Sequence, residues 1–533
     1  MSHEAIADVS TAVGSTEGVE PPDLVPALTI VSHASAHRAG ERFVFERREL
    51  ALSRNAPDFT APGRNVGVPL DDPFVSRRPI RFVRGPDGVR VIVDPGGTPV
   101  IAGSPVDGSK TFAMADLVHG VPVELADRVV LLLHLIDRKV GDTADPLGMV
   151  GTSAGIRRVR TAIERIGDLT VPVLIRGETG TGKELVARAI HDRSPRRDGP
   201  FVSVNLGAIS RELAPAELFG ATRGAFTGAL RDREGLFRTA HGGTLFLDEL
   251  GEAAPEIQVL LLRVIEAGEF YPVGADRPIA THVRLIAATD ANLEDQIQRG
   301  QFKAPLLHRL AGFELQLPPL RERREDIGLL FYHFAREELD AIGERHRLSP
   351  QDPYAPPWLP AQIAAQLVRC GWDGNIRHLR NVTRQLVIGS RGLPRARLDP
   401  HLADQLAVTP AGSGSLPVPP RADPGSDARR RPSEVTEAQL IDALRACSWD
   451  RKAAADRLRI PRPSIYDLID RYPNIRTVGD LDADEITRCF QDCAGDLDAM
   501  VAQLQVSRHA LVRRLRDLGL ASRGRPGSRG DHE

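Results

Sequence analysis

The 533-residue chain has few cysteines and aromatic residues, almost no net charge and no long apolar run. Its four cysteines are Cys370, Cys447, Cys489 and Cys493. They are too few and too scattered for a disulfide framework, and no histidines stand near them at zinc-site spacing. The longest apolar stretch, Val129–Ile136, is far shorter than a membrane span, and no basic segment followed by an apolar run opens the chain. We therefore expect a protein of the reducing cytoplasm without a membrane partner.

The composition is otherwise that of soluble globular proteins, with 41% hydrophobic and 26% charged residues. A chain of this length holds about three or four domains. The formal net charge of -2 averages over all of them. It therefore neither favours nor excludes a nucleic-acid partner until the chain is divided.

The N-terminal part of the chain changes from a polar leader to a β-rich region. Residues 1–26 are small, acidic and proline-containing, which predicts a disordered leader. In residues 27–110, short β-rich runs alternate with Gly, Pro and Asp turns, and this pattern predicts an antiparallel β-sandwich. Residues 111–145 are predicted to be a helical or mixed connector.

An α/β pattern follows the connector. In residues 146–330, apolar strand-like runs alternate with amphipathic helical segments, which predicts a mainly parallel sheet with helices on its faces. Residues 331–405 are mostly helical and predict a lid. Pro, Gly, Ser and Arg then dominate residues 406–435 without periodicity, as in a flexible linker.

The stretch Val171–Glu184, VPVLIRGETGTGKE, is a short apolar run that ends in three glycines and a lysine. It predicts a strand, a tight loop and the start of a helix, whose backbone N–H groups and dipole favour a polyphosphate. This spacing is the P-loop pattern, with Glu184 where a Ser or Thr that binds Mg²⁺ is usual. The predicted ATP contacts in the loop are Gly177, Glu178, Thr179, Gly180, Thr181, Gly182, Lys183 and Glu184.

A second motif, Gly242–Glu249, has the sequence GGTLFLDE and predicts an apolar strand that ends in two carboxylates. Ligands of α/β sheets bind at the C-terminal ends of strands. We therefore expect Asp248 to hold Mg²⁺, directly or through water, and Glu249 to polarise the water that attacks ATP. Because Glu184 has no hydroxyl group, Asp248 bears more of the metal binding.

Between these motifs lies Gly224–Ala229, GAFTGA, preceded by the sequence ELFG. Glycines near both ends leave Phe226 and Thr227 as the only sizeable side chains of the loop, and exposed residues of this kind usually serve a partner. The hexapeptide closely resembles the signature of the AAA+ activators of sigma-54 RNA polymerase, the bacterial enhancer-binding proteins. The resemblance covers roughly residues 148–390. It implies that sigma-54 is contacted by Gly224, Ala225, Phe226, Thr227, Gly228 and Ala229.

The same resemblance assigns further residues to ATP hydrolysis. Asn205 would couple the glutamate of the second motif to loop movement, and Arg309 would be an arginine finger that reaches the γ-phosphate of a neighbouring subunit. Lys303 stands at a second finger position, where it keeps the charge but lacks the planar fork of arginine. Asp290 stands at the position of a sensor asparagine and Arg377 at that of a sensor arginine. The alternative for each residue is an ordinary structural role.

The β-rich region resembles a forkhead-associated domain, which is a phosphothreonine-binding sandwich. Arg54, Ser76 and Thr98 fall in the order of the phosphate-binding residues of that family. The chain departs from the family at Pro79, where a histidine is usual. The resemblance implies that phosphothreonine is contacted by Arg54, Ser76, Arg77 and Thr98. The alternative is a sandwich that only docks onto the rest of the protein.

The C-terminal region contains two copies of one unit, residues 436–475 and residues 482–520. The residues from Cys447 to Ile469 that define the first copy recur 46 positions later as similar residues, from Cys493 to Leu515. The spacing resembles the Fis-type helix-turn-helix, whose second helix enters the major groove of DNA. The predicted DNA contacts are Ser507, Arg508, His509, Arg513, Arg514, Arg462 and Ser464. A helical docking module is the alternative.

These motifs together predict a multidomain protein with a β-sandwich, an AAA+ ATPase with a helical lid, and all-α helix-turn-helix repeats. The resemblance implies a homo-oligomeric ring, a hexamer, that uses ATP and Mg²⁺. It also implies sigma-54 RNA polymerase, upstream promoter DNA and a phosphothreonine protein or kinase as partners. The alternatives are a general AAA+ unfoldase and a phosphopeptide-sensing scaffold that binds ATP without turnover.

Overall fold

The structure is a computed structural model. It describes residues 23–45, 47–139, 145–225, 231–406 and 437–447, together with separate positions between 449 and 520. The chain forms two compact units, Met1–Gly414 and Ser415–Glu533, which are described separately below. Among the described residues, no helix combines the length and the apolar composition that crossing a bilayer requires.

The first part of the larger unit is a sandwich of two antiparallel sheets. Its elements are β1 (Leu24–Ser32), β2 (Arg42–Val44), β3 (Glu49–Leu52), β4 (Phe59–Thr60), β5 (Gly67–Val68), β6 (Ile80–Arg84), β7 (Gly88–Ile92), β8 (Val100–Ala102), β9 (Ser104–Pro105), β10 (Ser109–Ala113), α1 (Met114–His119), β11 (Val121–Leu125) and β12 (Val129–Asp137). One sheet has the order β5-β4-β2-β1-β12-β11-β8-β9 and the other has the order β10-β7-β6-β3. The N-terminal part of the chain is thus the β-rich region that the sequence predicts.

The boundaries of the sandwich differ from the predicted ones at both ends. Strand β1 begins at Leu24, within the residues assigned to the leader, and residues 1–22 lie outside the described part of the chain. Residues 111–145, assigned to a connector, instead contain the end of β10, helix α1 and the strands β11 and β12. Strand β12 pairs with β1 along nearly its whole length and with β11 on its other side, so it is a central strand of the larger sheet.

The apolar run of β12 explains why the sequence did not reveal this strand. Val129, Leu131 and Leu133 pack in the core of the sandwich. Val130 and Leu132 point to the opposite face and belong to the core of the helical lid. A strand that is buried on both faces reads as a continuous apolar run, which periodicity cannot distinguish from a buried helix.

The second part of the larger unit is a parallel α/β domain, as predicted. Its elements are α2 (Ala154–Ile166), β13 (Val173–Arg176), α3 (Lys183–Asp192), β14 (Phe201–Asn205), α4 (Ala214–Phe219), α5 (Leu236–Thr239), β15 (Thr244–Asp248), α6 (Pro255–Ala267), β16 (Glu269–Phe270), β17 (Ile279–Ala280), β18 (Arg284–Thr289), α7 (Leu293–Gln298), α8 (Ala304–Leu310) and β19 (Phe313–Gln316). The five-stranded sheet has the order β14-β15-β18-β13-β19, and all of its strand pairs are parallel. Its carboxyl edge therefore gathers the loops that follow β13, β14, β15 and β18.

A lid of helices follows β19. It contains α9 (Ile327–Ala341), α10 (Ala361–Arg369), α11 (Asn375–Gly389) and α12 (Pro400–Leu406). The first lid helix thus begins at Ile327, four residues before the predicted start of the lid at 331. A turn of 3₁₀ helix, Leu320–Glu322, joins β19 to the lid.

The lid and the sandwich share one buried core. Val31 of β1 and Val130 of β12 lie in the same apolar cluster as Phe331 of α9. The hydroxyl groups of Ser32 and Tyr332 are hydrogen-bonded across this interface at 2.7 Å. The sandwich is therefore packed on the lid of its own chain.

The smaller unit contains α13 (Glu437–Ala446), α14 (Ala483–Asp492) and α15 (Leu497–Leu504). Equivalent residues of the two sequence copies lie in one apolar cluster, as Leu458 and Leu504 show. The predicted linker, apart from residue 406, lies outside the described residues. The predicted DNA contacts Ser507, Arg508, His509, Arg513, Arg462 and Ser464 also lie outside them, whereas Arg514 is described and partly buried.

Candidate ATP site

The P-loop joins the C-terminal end of β13 to the first turn of α3. Gly180 and Gly182 have φ angles of 79° and 102°, in the left-handed region that favours glycine. Gly180 also lies against the main chain of Gly374 in the lid, where an added Cβ would collide with the carbonyl oxygen. The lid therefore packs directly on the loop that the sequence assigns to phosphate binding.

Lys183 is held inside this loop. Its Nζ atom donates hydrogen bonds to the carbonyl oxygens of Gly177, at 2.7 Å, and of Glu178, at 3.3 Å. Burial lowers the pKa of Lys183, and the nearby carboxylates of Asp290 and Asp248 oppose that shift. The ammonium group and the loop together can neutralise a polyphosphate. Glu184, one residue further on, is exposed.

The second motif ends where the sequence predicts, at the same edge of the sheet. Asp248 is the last residue of β15 and pairs in register with Asn205, the last residue of β14. The backbone of Glu249 is left-handed, with φ of 54°, and its N–H donates to the Asp248 carboxylate at 3.0 Å. The carboxylate of Glu249 lies against Gly207, and Asn205 accepts a hydrogen bond from the N–H of Ala208 at 3.1 Å. Asn205 and Glu249 are thus neighbours.

Asp248 fits the binding of one Mg²⁺ ion that is shared with ATP. Burial raises the pKa of its carboxyl group, while the hydrogen bond from Glu249 and the charge of Lys183 lower it. In the described part of the chain, no group of three or more His, Cys, Asp and Glu side chains could form a protein cage for a metal ion. Mg²⁺ is commonly bound by one or two carboxylates together with phosphates and water, which is the arrangement that Asp248 allows.

The two sensor candidates both contact the P-loop. Asp290 follows β18 and accepts a hydrogen bond from the hydroxyl of Thr179. Arg377 is near the start of α11, and its backbone N–H contacts the carbonyl oxygen of Gly180 at 3.4 Å. The tertiary structure therefore brings both residues to the loop, although they lie far apart in the sequence.

The two finger candidates lie on α8 and at its start. Arg309 is exposed and forms an ion pair with Glu266 at 3.2 Å. Lys303 is the exposed N-cap residue of α8, and its backbone N–H donates to Gln258. The following Pro305 lies in the first turn of the helix, where proline is well accommodated.

An apolar cavity of about 120 Å³ lies beside the P-loop, between the α/β domain and the lid. Thr181 and Gly182 line it from the loop, and Phe334 and Ile376 line it from the lid. A flat apolar group attached to a phosphate chain in the loop would enter this cavity. Its position next to the phosphate cradle fits the base of a nucleotide.

The base of the GAFTGA loop is well anchored. Ala221 pairs with Arg233 across the two arms of the loop, and the N–H of Thr222 donates to the carbonyl oxygen of Val273 at 3.0 Å. Gly224 has φ of 81°, and Ala225 follows it beside Gly274. The remaining predicted sigma-54 contacts, Phe226, Thr227, Gly228 and Ala229, lie outside the described residues.

The predicted phosphothreonine contacts come together at one end of the sandwich. The backbone N–H of Arg54 donates to the carbonyl oxygen of Ser76 at 3.1 Å, and the N–H of Ser76 donates to the hydroxyl of Thr98 at 2.8 Å. The guanidinium of Arg54 binds the carbonyl oxygens of Pro73 and Val75. The three residues therefore lie on adjacent loops.

Sequence reasoning missed two groups of contacts that join the domains of the larger unit. Glu178 is joined to Arg321 and Asn375, which lie more than a hundred residues further along the chain. Arg128 of the sandwich is buried against the lid. Arg321 opens the charged run RERRED, which reads as a solvated surface although Asp326 within it is fully buried. The motifs gave no signal for either group.

Comparison with known proteins identifies the class of this domain and then its family. Residues 321–411 match the AAA+ ATPase lid domain. With the P-loop, the carboxylate pair and the parallel sheet, this match defines the central part of the chain as an AAA+ P-loop ATPase, as the sequence predicts. Residues 149–316 match the sigma-54 interaction domain, so these residues belong to that domain family.

Curated relatives are similar over the same region. The DNA-binding transcriptional regulator NtrC of Escherichia coli (strain K12) is 44% identical over 252 residues, which is 47% of this chain and 51% of the relative. A Nif-specific regulatory protein of Herbaspirillum seropedicae is 37% identical over 340 residues, which is 60% of this chain and 61% of the relative. The chain thus spans about half the length of the first of these relatives.

Among solved structures, NtrX of Brucella abortus in complex with ADP is 30% identical and is covered over 70% of each chain, with a TM-score of 0.43.

Proposed function

We propose that the chain is an ATP-hydrolysing transcription activator that remodels the closed complexes of sigma-54 RNA polymerase. The observation that supports this most is the sequence GAFTGA at positions 224–229, within a stretch that matches the sigma-54 interaction domain. The preceding residue Ala221, which is described, is anchored by its pairing with Arg233. Both ATP motifs of this domain lie at one edge of its sheet. The similarity to transcriptional regulators supports the same function.

The residues at the sheet edge have complementary roles in hydrolysis. Backbone N–H groups of the P-loop and the ammonium group of Lys183 bind and orient the phosphates. Asp248 holds Mg²⁺, which neutralises charge on the phosphates when bound. Glu249 orients and polarises the attacking water, and Asn205 beside it senses the position of that carboxylate. Phosphoryl transfer to water needs mainly such positioning and charge stabilisation, so we infer no covalent intermediate on the protein.

Hydrolysis is proposed to occur at interfaces of a homo-oligomeric ring. Arg309 and Lys303 support this arrangement because both are exposed on one helix of the α/β domain. Each would reach the phosphates bound by the neighbouring subunit and stabilise the charge that develops there. Asp290 and Arg377 would report the state of the same nucleotide to the α/β domain and to the lid.

In vitro transcription from a sigma-54 promoter, with and without ATP, tests the proposal. The parent chain should open the promoter only with ATP. Thr227→Ala should keep ATP turnover and lose promoter opening, because this side chain is proposed to touch the polymerase and not the nucleotide. A Thr227→Ala chain that activates transcription fully would contradict the assigned contact, and ATP-independent activation by the parent would overturn the function.

The terminal repeats are proposed to hold the ring at an upstream DNA site. The later copy carries more cations in its recognition segment, among them Arg508, Arg513 and Arg514. Because phosphate neutralisation dominates DNA affinity, Arg513→Ala with Arg514→Ala should weaken binding more than Arg462→Ala with Arg471→Ala. A titration with promoter DNA at several salt concentrations measures both the affinity and its salt dependence. The reverse ranking would make the first copy the reader.

The sandwich is proposed to be the regulatory input, with a phosphothreonine on another protein or subunit as its ligand. The adjacency of Arg54, Ser76 and Thr98 supports this role, and Arg77 is exposed on the same loop as Ser76. An arginine at a phosphate forms charge-assisted, often bidentate bonds. Calorimetry of the full chain against a phosphothreonine peptide library tests it, with Arg54→Ala and unphosphorylated peptides as controls. Equal binding by Arg54→Ala would leave the sandwich as a docking domain only.

A further inference from the structure

The side chain of Glu178 in the P-loop binds the hinge of the lid, which is the segment Leu320–Glu322 between the α/β domain and the lid. Its carboxylate accepts two hydrogen bonds from the guanidinium of Arg321, at 2.8 Å from Nη1 and 2.6 Å from Nη2. This is the bidentate geometry in which the planar fork of arginine matches a carboxylate. Arg321 lies in the 3₁₀ turn Leu320–Glu322, which joins the α/β domain to the lid.

Asn375 joins the same pair from the lid. It is the first residue of α11, is fully buried and has φ of 51°. Its amide nitrogen donates to the Glu178 carboxylate and to the carbonyl oxygen of Thr179, both at 3.1 Å. Its amide oxygen accepts the N–H of Leu320 at 2.7 Å. The side chain of Asn375 thus joins the start of α11 to both the P-loop and the hinge.

Charge neutralisation explains why the P-loop can carry a carboxylate at this position. The hydrogen bonds from Arg321 lower the pKa of Glu178, and the same bonds raise the pKa of Arg321. Both groups are therefore charged at neutral pH. Without Arg321, the negative charge of Glu178 would lie unpaired in the loop that must receive the anionic phosphates.

We propose that Glu178, Arg321 and Asn375 form a clasp that positions the P-loop for ATP and sets the lid helix α11 on it. The three are positioning residues, and the contribution of Glu178 to ATP contact is confined to its backbone. Arg377 lies two residues after Asn375 and contacts Gly180 through its backbone. The clasp therefore also sets the position of the sensor arginine relative to the phosphates.

Steady-state ATPase kinetics of Glu178→Gln and Arg321→Gln test the clasp. Each variant should raise the KM for ATP, and the Kd for ADP measured by calorimetry, about fivefold. This corresponds to roughly 1 kcal/mol, the upper range for a partly exposed ion pair. The value of kcat should change by less than the KM, because the lost contacts prepare the loop before hydrolysis begins.

A double variant tests whether Glu178 and Arg321 act through one shared interaction or independently of each other. Glu178→Gln combined with Arg321→Gln should raise the KM no more than the stronger single variant, since both remove one interaction. Arg321→Lys should give an intermediate KM because it keeps the charge and loses the fork.

A matched control is Arg384→Gln, which breaks a 2.9 Å ion pair between Arg384 of α11 and Glu338 of α9, both within the lid. It should leave the KM and the Kd unchanged. The clasp is overturned if Arg384→Gln raises the KM as much as Arg321→Gln. An unchanged KM in both clasp variants, or additive effects in the double variant, would overturn it as well.

Discussion

Arg128 gives the sharpest test of whether the sandwich and the lid are one folding unit. Only 5% of this residue is exposed, and its Nε atom pairs with the carboxylate of Asp72 at 3.0 Å. Its two terminal nitrogens donate to the carbonyl oxygens of Ala355 and Pro353, each at 2.9 Å. The guanidinium also lies 4.4 Å from the ring centre of Phe74. One side chain from the sandwich thus holds a loop of the lid.

Arg128→Ala should destabilise the larger unit strongly. It leaves the Asp72 carboxylate, which is 1% exposed, without its cation, and it leaves two lid carbonyl groups without donors. Removing one partner of a buried pair costs about 3–5 kcal/mol. For a unit of about 400 residues the corresponding fall in Tm is roughly 5 °C.

Thermal and urea unfolding of the full chain measure this effect, and limited proteolysis near residue 354 reports release of the lid loop. The matched control is Arg395→Ala, because Arg395 pairs with Asp127 at 3.6 Å and both side chains are exposed. Such a surface pair contributes about 0–1 kcal/mol. Arg128→Met with Asp72→Asn should recover part of the loss, since no charge is then left unpaired. Equal effects of Arg128→Ala and Arg395→Ala would refute the reasoning.

Three further predictions concern catalysis and pH. Glu249→Gln should bind ATP nearly as the parent does and hydrolyse it far more slowly, because Lys183 still holds the phosphates; parallel loss of binding and turnover would contradict the role of Glu249. Arg309→Ala should abolish hydrolysis, and mixing it with Lys183→Ala should restore some turnover at hybrid interfaces; no rescue would argue against a finger that acts in trans. Burial lowers the pKa of His134 to about 4. As the pH falls, His134 therefore takes up its proton in the unfolded chain first. The contribution of His134 to the free energy of unfolding is thus fully present above pH 6.5 and falls by about 2 kcal/mol by pH 5. Urea titrations of His134→Gln should show a shallower fall, and an unchanged pH dependence would contradict this.

The local motifs of the ATP site could be read from the sequence because their chemistry is local. The loop with Gly180 and Gly182 needs left-handed backbone that glycine supplies, and Asp248 is the last residue of an apolar strand. Such features depend on a few consecutive residues. The sequence alone therefore determined the fold class of the ATPase domain and the position of its phosphate loop.

Only the tertiary structure decided where the sandwich ends and what it packs against. The run from Val129 to Asp137 has two apolar faces, so its periodicity carries no signal of a strand. Its pairing with β1 joins residues about a hundred positions apart. The contacts of Glu178 with Arg321 and Asn375 are equally remote in the chain. Charged side chains are usually solvated, and their burial and pairing depend on which distant backbone groups reach them. The spacing of residues along the sequence contains no information about these distant contacts. For this reason the clasp and the burial of Arg128 could be found only in the tertiary structure.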